Sequence, residues 1–329
     1  MPKIYNCYTN LNKFGGAELI ALTLTKELKI PNYSSELLLF SSDKINENYD
    51  LKELKCNTLS PRNFFSLRKE DIVFSHHRKC TTILMFLQLV FNHKFIIIHV
   101  AHNEFYSLKR ITIFPNRIIA VSERVKENLI NYFRIESNRI SVVHNGIKDC
   151  FVNYEQKKSN DIKILYPARI TEIKQQTEIV KHLTNNIPAH ITIYFAGEGD
   201  KVEELCSLIK YKNQFKFLGY INIQEHIENY DYVMLCSLVE GLPTVLLEAC
   251  MNSKPIICNN VGGNIEILEN GKNGFLANNY SELIDVLKVL PDNTSEDYLN
   301  MSKYSRKVFE NKFTLDKMIQ GYKKYVYDI

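Results

Sequence analysis

Tyr232-Val-Met-Leu-Cys236-Ser-Leu-Val-Glu240-Gly-Leu-Pro-Thr244-Val-Leu-Leu-Glu248-Ala-Cys250 changes character twice along its length. Tyr232 to Cys236 is apolar throughout, as a strand buried on both faces of a parallel sheet would be. Ser237 to Pro243 brings in an acid, a glycine and a proline, a loop composition. From Thr244 the chain is apolar again and reads as a helix, with Glu248 about one turn inside it. A strand, loop and helix in this order set a helix N-terminus at the carboxyl edge of a parallel sheet, where open α/β sheets bind ligands. Free N–H groups around Thr244 to Leu246, together with the helix dipole, suit a diphosphate. Glu240 and Glu248 are then placed to hold hydroxyls at the two ends of a nucleotide-sugar, one on the sugar and one on the ribose. In isolation such a pair reads more simply as a solvated loop acid and an exposed helix acid; the flanking Gly-Leu-Pro-Thr favours a site.

Outward from this stretch, short apolar runs alternate with amphipathic segments nearly end to end, the pattern of βαβ units. Upstream in the same half, strands are expected at Ile162–Pro167, Ile191–Ala196 and Phe215–Leu218, and downstream at Pro255–Cys258. The first half predicts strands at Lys3–Tyr8, Ser35–Phe40, Asp71–Ser75, Phe95–His99, Arg117–Val121 and Arg139–Val143. Helices fit at Ala17–Leu28 and at Glu123–Tyr132, the latter with Ser122 as its N-cap. Residues 147–161 are polar and without clear periodicity, so the linker is placed there. The tail beyond about 293 reads as two helices. A chain of 329 residues is too long for one ordinary core. The expectation is two Rossmann-like domains with parallel sheets; the motif resemblance of the second half implies that these face a central cleft, with 1–155 on the acceptor side, 160–300 on the donor side and 301–329 as helices packing back across both.

Composition narrows the class. Hydrophobic residues at 45% and charged residues at 24% are those of an ordinary globular protein. A net charge of +4 without clustered Lys/Arg and interleaved aromatics argues against nucleic acid. The eight cysteines are scattered with no CxxC pair or zinc-like spacing, and read as free thiols of a reducing compartment. The polar N-terminus has no signal-peptide core. The most apolar run, Thr82 to Phe91, is about half of the roughly 20 residues a membrane helix needs, and reads as a buried core helix. A cytoplasmic location follows, with peripheral contact at the inner face of the membrane as a further expectation.

Three other segments carry chemistry. Tyr166-Pro-Ala-Arg169-Ile-Thr-Glu-Ile-Lys174 places two cations after the first strand of the second half, at the same sheet edge as the two acids. Fixed cations there stabilise negative charge that develops on a departing diphosphate, Arg as a fork and Lys as a point charge. Asn12-Lys-Phe-Gly15-Gly16-Ala17-Glu18 follows strand one and opens a helix. Its paired glycines allow close backbone approach to phosphate or sugar, but it is not the G-x-G-x-x-G of NAD binding. His76-His77 and His99-Val-Ala-His102 both sit at strand ends facing the predicted cleft. His99 reads as a satisfied core imidazole and His102 as a site residue. Neither cluster has the acidic partners of a nucleotide-binding metal site.

The segment Glu240 to Glu248 resembles the E-x7-E signature of the retaining glycosyltransferases of family 4, which have the GT-B fold. Lys254-Pro-Ile-Ile-Cys-Asn-Asn-Val-Gly-Gly263-Asn-Ile-Glu266, then Glu269-Asn-Gly271-Lys-Asn-Gly274, resembles the family's next stretch. Phe217-Leu-Gly219 and Ala196-Gly197-Glu-Gly199 are similar to its strand-end glycine turns. The resemblance implies a donor site made of Gly15, Gly16, Arg169, Lys174, Gly197, Gly241, Leu242, Pro243, Thr244, Val245 and Glu248. It gives the catalytic set Glu240, His102, Arg169 and Lys174, with His102 contacting the transferred sugar and no metal and no cofactor beyond the nucleotide-sugar co-substrate, a UDP-sugar ahead of a GDP-sugar. Departures are Ala168 and Gln175, where the family commonly has Gly, and Asn252 in place of a small residue; none removes a phosphate-binding charge.

The expected function is transfer of a sugar from a nucleoside-diphosphate sugar to a hydroxyl acceptor with retention of configuration. The acceptor would be a sugar or a lipid-linked oligosaccharide in bacterial surface polysaccharide assembly. Phe64-Phe65-Ser-Leu-Arg68-Lys69 and the Phe86–Phe91 helix offer a basic-aromatic surface to membrane, although the helix aromatics read better as core. Two alternatives stand beside it: a nucleotide-sugar epimerase on the same fold, which would need acid/base groups at the reacting carbon, and a non-catalytic binding subunit. The latter is expected to have lost one of Arg169, Lys174, Glu240 or Glu248, and all four are present.

Overall fold

A computed structural model describes residues 1–12, 15–41, 45–153 and 158–329. The chain divides into two compact units, Met1–Asn145 with Asp316–Ile329, and Gly146–Leu315. The expected boundary at residue 155, and the middle of the expected linker, lie outside the described residues.

The first unit holds β1 (Lys3–Tyr8), β2 (Ser34–Leu39), β3 (Cys56–Thr58), β4 (Ile72–Ser75), β5 (Ile96–Ala101), β6 (Arg117–Ala120) and β7 (Ile140–Val142). Among the described residues they form one parallel sheet of seven strands in the order 3-2-1-4-5-6-7. The second unit holds β8 (Ile162–Pro167), β9 (Ile191–Ala196), β10 (Phe215–Phe217), β11 (Tyr232–Leu235), β12 (Ile256–Cys258) and β13 (Gly274–Leu276). These pair, again in parallel, in the order 10-9-8-11-12-13. Both sheets reverse direction beside their first strand, at β1/β4 and at β8/β11, the switch points where such sheets open a crevice at their carboxyl edge.

The central strands are apolar on both faces because helices cover both: Val73, Phe74, Ile118, Ile119, Ile164, Leu165, Val233 and Met234 are fully buried. Every strand expected from the sequence is present. β3 and β13 are additional, three residues each. β3 lies at the sheet edge with Cys56 and Thr58 exposed and has no apolar run to announce it. β13 begins at Gly274, whose φ of +151° and close approach leave no room for a side chain, since a Cβ would lie 1.8 Å from the Ile256 carbonyl oxygen. Ser122 caps the helix Glu123–Asn131, accepting from the Val125 N–H at 3.2 Å. The tail is two helices, Glu296–Lys312 and Leu315–Tyr327. The last helix belongs to the first unit, where Tyr322 meets Phe74 edge-on at 5.4 Å.

The helix Arg78–Phe91 corrects one expectation. Its buried face is Cys80, Thr81 and Leu84, nearer its start, while Phe86, Leu89, Val90 and Phe91 are 51–79% exposed. The sequence reads as core because the run is apolar nearly all round. One face suffices to cover the sheet, and the other stays outside with Phe65, whose ring packs on Phe91 at 5.2 Å.

Candidate active site

In the second unit the site is built on a clasp between the ends of β8 and β11. Tyr166, the fifth residue of β8, is fully buried. Its hydroxyl lies 2.7 Å from the Lys174 carbonyl and 2.9 Å from that of Cys236, and accepts from the Cys236 N–H at 2.9 Å. The loop after β8 is thereby bound to the loop after β11. The Leu238 N–H donates to the Ile173 carbonyl, 2.9 Å, and extends the join. In the sequence the signal is a Tyr one residue before the end of an apolar strand, because a buried phenol needs a partner.

This clasp brings Lys174 to Glu240. Nζ and Oε1 are 2.5 Å apart, with side chains only 19% and 7% exposed. An ammonium has three donors and a carboxylate two oxygens, so the pair leaves two N–H groups and Oε2 free in chemical capacity. Arg169, five residues earlier, is exposed, and its guanidinium has no partner among the described residues. The backbone around it is fixed by contacts that exclude side chains. Gly197 has φ +143°, and a Cβ there would lie 2.2 Å from the Ala168 carbonyl oxygen; its N–H donates to Gly219 at 2.7 Å. On the other side Gly262 and Gly263 press on the acid's own backbone. A Cβ at Gly262 would lie 2.4 Å from the Glu240 carbonyl oxygen, and the Gly263 N–H donates to the Gly241 carbonyl at 2.5 Å. The strand-end glycines are thus what lets the loops of Arg169 and Glu240 come this close to their neighbours.

The helix predicted after Glu240 spans Thr244–Met251 and starts behind Pro243 with no side-chain cap. Gly241, Leu242 and Pro243 form the buried approach to it. Of the expected free donors, the Leu246 N–H is taken by the Pro243 carbonyl at 3.2 Å; those of Thr244 and Val245 remain for an anion. One turn in, Glu248 is half-buried with Oε2 enclosed and unpartnered, and burial pushes its carboxyl up to about 7. The two acids are therefore unlike: Glu240 is paired with a cation, while Glu248 has an enclosed oxygen without a partner.

Gln175 sits where a glycine was expected from the resemblance, and its backbone explains the usual residue. Its φ is +60°, the left-handed region that costs a side chain roughly 1–2 kcal/mol. Two bonds hold it: Oε1 accepts from the Tyr280 hydroxyl at 2.7 Å, and Nε2 donates to the Glu172 carbonyl at 2.6 Å.

In the first unit Gly15 is the extended N-cap of the helix Gly16–Glu27 and donates its N–H to the Tyr49 hydroxyl at 3.1 Å. A Cβ at Gly15 would lie 2.6 Å from the Glu18 carboxylate, so the glycine lets that side chain fold back over the helix start. Lys13 and Phe14 of the same motif lie outside the described residues. His76, after β4, and His102, after β5, are buried and joined, His76 Nδ1 to His102 Nε2 at 2.9 Å. His99 is also buried, with Nδ1 2.8 Å from the Thr81 hydroxyl and Nε2 unpartnered. Burial lowers all three imidazoles, His99 and His102 to about 3, so they are neutral at physiological pH. His77 instead caps the helix Arg78–Phe91, accepting from the Lys79 N–H at 3.2 Å.

Comparison with known proteins follows the same division. A family model described as glycosyl transferases group 1 matches residues 150–308, and one described as glycosyltransferase family 4 matches residues 14–149. The O-antigen biosynthesis glycosyltransferase WbnH of Escherichia coli is 27% identical over 164 residues, 50% of this chain and 46% of that protein. An Escherichia coli enzyme named UDP-Gal:alpha-D-GlcNAc-diphosphoundecaprenol alpha-1,3-galactosyltransferase is 28% identical over 153 residues, 45% of this chain and 39% of that one. The matches thus span less than half the length of these relatives. Among solved structures, Anabaena Alr3699/HepE in complex with UDP superposes with a TM-score of 0.83 at 18% identity, covering 100% of both chains. That likeness is one of fold: GT-B.

Proposed function

The chain belongs to the group 1 and family 4 glycosyltransferases, and from that premise we propose that it transfers a sugar from a nucleoside-diphosphate sugar to a hydroxyl acceptor with retention of configuration. The observation that carries the reading is the second switch point. There the Lys174–Glu240 pair, the exposed Arg169 and an uncapped helix start share one sheet edge.

Arg169 and Lys174 hold the diphosphate, and the N–H groups of Thr244 and Val245 take phosphate oxygens at the positive end of the helix. Glu240 orients the sugar through its remaining oxygen, and Glu248 takes the ribose hydroxyls. Gly197, Gly241, Leu242 and Pro243 line the donor path, and the family resemblance assigns Gly15, Gly16 and His102 of the first unit to donor and sugar contacts. The bond from the sugar's anomeric carbon to the diphosphate oxygen breaks. The acceptor oxygen bonds to that carbon from the same face, and its proton passes to the departing phosphate. The two cations carry the charge that develops on the leaving group. A glycosyl-enzyme adduct trapped by mass spectrometry would overturn same-face attack.

UDP is the favoured nucleotide: the Anabaena protein was solved with it, and the galactosyltransferase named above uses UDP-Gal. The acceptor proposed is a sugar or lipid-linked saccharide of surface polysaccharide assembly; one Escherichia coli relative is named for O-antigen biosynthesis and the other for a diphosphoundecaprenol-linked GlcNAc acceptor, which supports that reading. Among the described residues no helix is long and apolar enough to cross a membrane. The face formed by Phe65, Phe86, Leu89 and Phe91, flanked by exposed Arg62 and Lys94, suits peripheral contact from the cytoplasmic side.

The test is thermal shift against UDP, GDP, ADP and their sugar conjugates, on wild type and Arg169→Ala. A ligand at 100 times its Kd adds roughly 2.7 kcal/mol of apparent stability. Stabilisation by one nucleoside diphosphate, lost in Arg169→Ala, is the expected result. No shift with any of them at millimolar concentration would sink the donor site.

A further inference from the structure

The helix Glu123–Asn131 buries Val125, Asn128 and Leu129 and leaves Arg124, Glu127 and Asn131 exposed, at the spacing that puts side chains on one face. Asn128 ties this helix to the segment that follows β5. Its Oδ1 accepts from the Phe105 N–H at 2.9 Å and its Nδ2 donates to the Phe105 carbonyl at 3.2 Å, so both ends of the amide are fixed. Helix and segment border a hollow of about 170 Å³, lined by Glu104, Tyr106, Arg124, Glu127, Asn131 and Tyr132. It lies wholly within the first unit. Solvent reaches it, since the side chains of Arg124 and Glu127 are 45% and 57% exposed and Tyr106 is 62% exposed.

Glu104 is the group that calls for a ligand. It is 8% exposed, and both of its contacts fall on one oxygen: Oε1 accepts from the Tyr106 hydroxyl at 3.1 Å and lies 3.6 Å from Arg124 Nε. Oε2 has no partner among the described residues. A buried carboxylate oxygen without donors is costly, and a molecule in the hollow can supply them.

The surrounding charges narrow what that molecule is. Arg124 stands between the acids, with Nη1 3.3 Å from Glu127, and Lys109 lies 5.6 Å from the centre of the Tyr132 ring. Two acids are thus balanced by two cations, and neither an anion nor an ammonium is favoured. What remains are carboxylate acceptors, guanidinium and amide donors, and the Tyr106 and Tyr132 rings meeting edge to face at 5.7 Å. A neutral ring with several hydroxyls uses all of these. Adjacent hydroxyls donate to a carboxylate and accept from a guanidinium, and the C–H face packs on an aromatic ring.

We propose that this hollow binds one sugar ring, with adjacent hydroxyls donating to Glu104 Oε2 and Glu127 and the C–H face lying on Tyr106. Giving that sugar to the acceptor rests on the transferase reading; the pocket itself does not.

Saturation-transfer NMR on the full chain tests it, with methyl glycosides of glucose, galactose and N-acetylglucosamine at millimolar concentration. Inorganic phosphate and methylammonium serve as charged competitors. At least one glycoside is expected to bind, and neither charged probe to displace it. Glu104→Gln, which keeps the shape and removes the charge, should weaken that glycoside about tenfold. Tyr106→Ala, at an exposed position that the fold does not need, should weaken it as well, while Tyr106→Phe keeps the ring and most of the affinity. Stabilisation by UDP should be the same in all three variants. No glycoside bound by wild type, displacement by either charged probe, or unchanged affinity in Glu104→Gln and Tyr106→Ala would overturn the pocket and leave the transferase reading standing. Glu104-dependent glycoside binding by a wild type that no nucleoside diphosphate stabilises is the distinct outcome: the pocket holds and its assignment to the acceptor falls.

Discussion

Glu240 and Glu248 lie one helical turn and a loop apart in sequence, and the fold treats them oppositely. Glu240 is neutralised by Lys174 at 2.5 Å. Glu248 has an enclosed oxygen with no partner, and burial raises its carboxyl from an ordinary 4.5 to about 7. The folded protein therefore binds more protons than the unfolded chain between about pH 4.5 and 7. Glu248 accordingly makes stability fall as pH rises through that window. Glu248→Gln should flatten this part of the stability–pH profile and stabilise the protein at pH 8 by something of the order of 1–3 kcal/mol. Melts at pH 5 and pH 8 on both proteins check it; parallel profiles would contradict the burial effect. The same variant should weaken nucleotide binding, since an amide is a poorer acceptor for ribose hydroxyls than a carboxylate. Both acids were legible in the sequence as a spaced pair beside Gly-Leu-Pro-Thr. Their environments were not, because burial depends on helices distant in the chain.

The elements that matter are the ends of β8 and β11 and the loops leaving them. Apolar runs revealed both strands and placed both loops on one edge. They did not reveal the Tyr166 hydroxyl that joins them. Tyr166→Phe keeps the packing and removes the clasp, leaving the buried Cys236 N–H without its acceptor. A loss of about 2 kcal/mol is expected, together with weaker binding of nucleoside diphosphate as Lys174 loosens. Denaturant melts and calorimetric titration with UDP would measure the two effects. Gly197→Ala should be more severe, at about 3 kcal/mol or beyond, because left-handed backbone and a Cβ 2.2 Å from a carbonyl oxygen combine. Its melting temperature should fall well below that of Gly219→Ala, a position whose φ of +70° is also left-handed but where a Cβ meets nothing within 4 Å. Equal losses would assign the effect to backbone strain alone. The glycine turns are visible in the sequence; only the folded packing distinguishes a crowded glycine from an open one.

At the scale of the molecule, two sheets of the same strand order each turn their switch point into a chemical edge. The face of the first unit carrying Phe65, Phe86, Leu89 and Phe91 is expected to bind anionic vesicles in sedimentation. Phe86→Asp with Leu89→Asp should release the protein from them without lowering UDP affinity, and unchanged binding would remove this face from membrane contact. The sequence by itself determined the repeated parallel α/β architecture and put Arg169, Lys174, Glu240 and Glu248 after strands of the second sheet. Those follow from local properties: apolar runs make strands, loop residues mark their ends, and parallel connectivity sends those ends to one side. Only the tertiary structure decided which side of the Arg78–Phe91 helix faces out, that Lys174 pairs with Glu240, that Glu248 is held near neutrality, and that His76 meets His102. Each of these depends on residues far apart in the chain meeting in a low-dielectric setting, and no pattern within one segment encodes that meeting.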